Sequence, residues 1–152
     1  MLITNHVLSG ALVGRAAPGP ATALLAGVGS HFALDVVPHW GDDSIFLQVA
    51  VPDGLVGLGA IAWVWRTTEA DARVRVLAGV VGACLPDLDK PGRLFFGASP
   101  FPAAVDAFHV RIQHESPRRL PQEFLVAAAG VLAVRGLSRA ASRRAARRPS
   151  RG

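Results

Sequence analysis

Apolar residues run along this chain in long blocks separated by Gly and Pro clusters, and nowhere in the two-residue alternation of a half-buried strand. The blocks predict six helices, over residues 6–17, 21–37, 45–66, 69–85, from Pro100 or Pro102 to His114, and from Pro121 onward. Asn5 is placed to cap the first, and Gly10 and Gly14 share one of its faces at a spacing that allows close helix approach. Pro18-Gly19-Pro20 is a firm break. Gly41-Asp42-Asp43-Ser44 forms a turn and cap for the third helix, Thr68 starts the fourth, and Ser99 caps the fifth. Residues 86–92 read as a rigid acidic loop and 93–99 as irregular. The expected fold class is all-α, a compact bundle of about six helices.

The third block is the longest candidate for a membrane span, although Gln48 and Pro52-Asp53-Gly54 interrupt it. No window is uninterrupted: 21–37 holds His31 and Asp35, 45–65 holds Asp53, and 124–134 is short. Ionisable groups inside apolar helices mark functional sites, and Arg follows directly after residue 134, as positive-inside anchoring requires. The favoured reading is a membrane-embedded or membrane-associated bundle, against a soluble bundle with an over-apolar core. Composition agrees: 51% of residues are hydrophobic and 18% charged, against about a quarter charged in ordinary soluble domains.

The net charge of +5 divides unevenly. Residues 1–134 carry −2, and residues 135–152 carry seven Arg and no acid. Basicity is thus a property of the C-terminal end and does not indicate a nucleic-acid-binding fold. The expected organisation is one helical domain over 1–142 and a disordered Arg-rich tail over 143–152, suited to an anionic membrane surface. The N-terminal stretch lacks Lys and Arg, so it is expected to be retained rather than cleaved as a secretory signal. Cys84 is the single cysteine and reads as a small core residue.

The candidate chemistry centres on Ser30 to Trp40. His31 and Asp35 are four apart and share a helical face, and Pro38 ends the helix with His39 at its exit. Imidazoles and a carboxylate among Ala, Val and Leu are costly to bury unless they share a cation. Further ligand types stand in other segments: His6, Asp87 and Asp89 beside Lys90, and His109 and His114 around Arg111. His31, Asp35, Asp87 and one of His6 or His114 are expected around one point. Asp106, three before His109, is expected to hold that imidazole's other N–H. Glu115 is a possible general base, more simply a surface residue. Asp53 is expected to face the His31/Asp35 helix and serve the site. His and carboxylate ligands without thiolates suit a catalytic zinc, or a mixed two-metal site, better than a structural Cys-rich zinc. No P-loop, dinucleotide fingerprint or nucleophile elbow is present.

His6 before a Gly-spaced helix, the Gly-x-x-x-Pro-Asp-x-Asp run from Gly82 to Asp89, and His109-x-Arg111-x-x-His114 resemble the membrane-bound metal-dependent hydrolases of bacteria, a family distantly similar to zinc-dependent phospholipases C. The Ser30-His31-x-x-x-Asp35 segment is similar to that family's His-x-x-x-Asp element, which here comes earlier in the chain. The resemblance implies a zinc-dependent hydrolase of phosphoester or lipid substrates in the bacterial inner membrane, and the positive-inside rule leads one to expect the Arg tail on the cytoplasmic side. The resemblance also implies metal ligands among His6, His31, Asp35, His39, Asp87, Asp89, His109 and His114, with Arg111 as a charge clamp. Lys90 stands where the family's loop has His, with His39 as the candidate replacement. The competing expectation is a non-catalytic membrane protein whose His/Asp cluster holds helices together.

Overall fold

In the computed structural model, which describes residues 1–146, seven α-helices are joined by short turns. They are α1 (Ile3–Ala16), α2 (Pro20–Asp35), α3 (Phe46–Thr67), α4 (Arg73–Cys84), α5 (Asp89–Phe96), α6 (Ala103–Ile112) and α7 (Leu120–Ala146). No β-strand occurs among the described residues. A single β-bridge pairs His39 with Glu115, with His39 N–H donating to His114 O (3.1 Å) and Ser116 N–H to His39 O (3.0 Å).

The class is the expected one; the count is not. Residues expected as loop and irregular chain form a 3-10 turn, Pro86–Leu88, and then α5. Pro91 does not break α5 because it sits in the first turn, where its missing N–H would have had no helical partner. Gly97, at φ +74°, closes that helix in the left-handed region. Asn5 does not cap α1. The helix starts three residues earlier than expected, at Ile3, and the Asn5 amide donates to Glu123 instead. The stretch after Thr68 begins as a 3-10 turn before α4. α7 continues to Ala146, through the first part of the expected tail; residues 147–152 lie outside the described ones.

The centre of the molecule is a three-helix seam in which α1 runs antiparallel to α2 and α4. Glycine makes it close. A Cβ on Gly10 would meet Gly79 O at 2.5 Å, one on Gly14 would meet Arg75 O at 2.8 Å, and one on Gly27 would collide with Gly79 O. The buried residues of α2 are Ala23, Gly27, His31 and Asp35, four apart throughout. The contact that seats α2 on α4 therefore also aims His31 and Asp35 inward. The apolar core of Val7, Leu8, Ala11, Val64, Val76, Val80 and Val134 lies against this seam.

α3 and α7 flank α1 and leave most of their apolar surface uncovered. Of α3 only Gly57 and Val64 are buried, whereas Leu55 is 68% exposed. The stretches Asp43–Thr67 and Pro117–Ala141 are each 25 residues long and apolar enough to cross a membrane. Pro52 lies inside α3 rather than at its start.

Candidate metal centre

Four segments converge at one end of the seam: the start of α1, the end of α2, the turn after α4, and α6. His31 is fixed first. Its Nδ1–H donates to Ala83 O at 2.8 Å, so the neutral imidazole carries its lone pair on Nε2. That Nε2 lies 3.1 Å from Asp35 Oδ2 and 3.0 Å from His109 Nε2. His109 Nε2 is itself 3.0 Å from the same Asp35 oxygen. One proton on His109 can serve one of these contacts; the others set lone pair against lone pair.

A shared cation would resolve that conflict. Tetrahedral zinc ligands at ~2.0–2.1 Å stand roughly 3.3 Å from one another, close to the spacing found here. Ligand atoms of His31, Asp35, Asp87 and His109 all lie within 4.8 Å of one another, and all four residues are buried. His6 stands at the rim. Its ring stacks on His31 with centroids 4.0 Å apart, and its Nε2 is 3.3 Å from Asp35 Oδ1 and 3.7 Å from Asp87 Oδ2. Neither His6 nitrogen has a hydrogen-bond partner among the described residues, although the ring is fully buried. An orphaned, buried imidazole nitrogen facing two carboxylates fits a cation site.

The electrostatics of the cluster set burial against close charges. Burial opposes ionisation of Asp35, but the imidazoles of His109, His31 and His6 outweigh it and hold its carboxyl far below the usual range. Burial pushes His6 down to about 4, which keeps it neutral near neutral pH. Burial would also lower His109, yet its bonds to Asp35 and Asp89 lift it to about 9. Asp87 is drawn down to about 2 against its burial, chiefly by the Lys90 ammonium at 2.9 Å.

Not every expected residue joins the centre. Asp89 backs His109, with its Oδ2 3.6 Å from Nδ1. It takes the place expected for Asp106, which pairs instead with Arg93 (2.6 Å) and Ser99 (2.8 Å). His39 turns away because its Nδ1–H donates to Val37 O (2.9 Å), which leaves Nε2 facing Glu115 at 3.7 Å. His114 is exposed, and its carbonyl rather than its ring is engaged by the bridge. Arg111 is also exposed, since two residues beyond His109 is about 200° around the helix.

Asp53 does not face α2. Its Oδ2 accepts from the backbone N–H groups of Ile3 (2.6 Å) and Thr4 (3.3 Å), so it caps α1 from another helix. Cys84 is no ligand here; burial, with the Asp87 charge, pushes its thiol up to about 12.

Three participants escape the sequence reading. The Met1 amino group donates to Asp35 Oδ1 at 2.7 Å. Gln113 Nε2 donates to Asp35 Oδ2 at 3.2 Å, and its i,i+4 spacing from His109 is the signal that places it. Glu123 is buried in α7 and accepts from Leu2 N–H (3.0 Å), Asn5 Nδ2 (2.7 Å) and Trp40 N–H (3.0 Å), tying the start of α1 to the loop after α2. No family model, curated protein or solved structure matches this chain.

Proposed function

We propose that this protein is a membrane-embedded, metal-dependent hydrolase whose centre is built by His31, Asp35, Asp87 and His109, with His6 beside them. The observation that carries the reading is the mutual approach of His31 Nε2, His109 Nε2 and Asp35 Oδ2 to 3.0–3.1 Å. His and carboxylate ligands without a thiolate suit zinc. A divalent cation there supplies Lewis-acid polarisation of a phosphoryl or carbonyl oxygen and acidifies water to a pKa near 7. The chain's own groups do the rest. Ala83 O and Asp89 orient the two imidazoles, and Gln113 steadies Asp35. Lys90 holds Asp87 and keeps a partly exposed ammonium at the edge of the centre, suited to an anionic phosphoester. The apolar surface of α3 and α7, with the resemblance noted above, supports placement in a bacterial inner membrane.

Full enclosure of His6, His31 and Asp35 favours a second reading, in which the cation ties four segments together without turnover. The test is metal analysis of protein purified without a His tag, followed by hydrolysis assays on bis(p-nitrophenyl) phosphate and on phospholipid. Bound zinc with chelator-sensitive hydrolysis is expected. Bound metal without hydrolysis supports the second reading, and a metal-free protein that takes up none overturns both.

A further inference from the structure

At the other end of α1 from the centre, Arg15 is sunk between helices, its side chain only 9% exposed. Its Nη2 donates to Thr68 Oγ1 (2.8 Å), Ser138 Oγ (3.1 Å) and Thr67 O (3.4 Å), and its Nη1 lies 3.7 Å from Glu69. This fastens the end of α3 to α7 beside an open cleft of about 630 Å³. Arg66, Arg139 and Arg143 wall it, and none of the three has a hydrogen-bond or ion-pair partner among the described residues. Glu69, the carboxylate in the wall, faces Arg15 beneath it. Arg15 Nε is also buried without an acceptor.

Three unpaired guanidiniums around a concavity, backed by a buried fourth, form a site for a doubly bonded oxyanion. Its place in the fold identifies the source. Trp65 precedes Arg66 and is 41% exposed, with Arg73 stacked over its ring at 4.9 Å. Leu132 and Leu137 are exposed on α7 beside the Arg139 turn. The cleft therefore stands at the edge of an apolar girdle, at the level where an aromatic belt and lipid headgroups meet.

We infer that this cleft holds the phosphate of an anionic phospholipid headgroup; the inference rests on the membrane reading above but not on the metal. The full chain in detergent, titrated with phosphatidylglycerol, phosphatidylcholine or inorganic phosphate and read by native mass spectrometry, tests it. Phosphatidylglycerol should be retained over phosphatidylcholine. Arg66→Gln, Arg139→Gln and Arg143→Gln together should weaken that retention roughly a hundredfold, with metal content and helicity unchanged. Equal retention of both lipids, or an unaffected triple variant, overturns the site. Displacement of the lipid by equimolar inorganic phosphate overturns the lipid source. A chain that stays soluble and disperse without detergent sinks the membrane reading, an outcome scored apart from lipid discrimination.

Discussion

Asp35 gathers five groups around one carboxylate: the Met1 amino group at 2.7 Å and His6 Nε2 at 3.3 Å from Oδ1, and His31 Nε2, His109 Nε2 and the Gln113 amide at 3.0–3.2 Å from Oδ2. Removing its charge leaves buried cationic partners uncompensated, which costs about 3–5 kcal/mol where such pairs are broken. We expect Asp35→Asn to lose both metal and that order of stability, read by metal analysis and denaturant titration. Native stability with full metal content would remove Asp35 from the centre. Glu123→Gln separates structure from site. One of its three N–H donors would then face an amide NH₂, at a cost of about 1–3 kcal/mol, while metal content should be kept. Cys84, held near 12, is a neutral thiol at about pH 8 and should resist maleimide until the chain unfolds.

At this scale the i,i+4 pairing of His31 and Asp35 is legible in sequence, because helix geometry alone puts both on one face. Which of His109 and His114 points inward is not legible. That depends on where α6 ends, and it ends at Ile112, before the second imidazole. Asp53 shows the same limit, since its partners belong to a helix start fifty residues away.

Among the elements, α2 is where packing and chemistry coincide. Its buried line of Ala23, Gly27, His31 and Asp35 means that whatever moves the helix off α4 also moves His31 and Asp35. Gly27→Ala places a methyl against backbone atoms of Gly79 and Ala83, which cannot rotate away. We expect a loss of about 1–3 kcal/mol, the usual cost of overpacking, together with weaker metal retention. Gly29→Ala, where a Cβ meets nothing within 4 Å, is the control that should cost no stability, gaining up to about 1 kcal/mol from helix propensity, and should leave metal retention unchanged. The Gly10/Gly14 spacing announces close approach in the sequence, but not that α4 is the partner. Pro91-Gly92 misleads for a physical reason: a proline signals a break only outside the first helical turn, and sequence does not mark where that turn begins.

For the molecule as a whole, α1, α3 and α7 run the same way, from the His/Asp centre toward the arginine end. Asp53 and Glu123 hold the first turn of α1, and Arg15 joins Thr68 and Ser138 at its last. The chain before α3, residues 36–45, has no Lys or Arg, whereas Arg66, Arg73 and Arg75 close α3 and open α4. α7 is less one-sided, with Arg118 and Arg119 before it and Arg139 and Arg143 near its end. On the proposed membrane reading, and because the bias at the earlier span usually dominates, the positive-inside rule predicts the arginine end in the cytoplasm and the His/Asp centre on the opposite side. Impermeant maleimide on intact cells expressing single-cysteine variants in a Cys84→Ala background checks this. Ser44→Cys, exposed in the turn before α3, should label, and Asp71→Cys, exposed in the turn after it, should label only after lysis. The reverse pattern would turn the protein over in the membrane and open its centre to the cytoplasm.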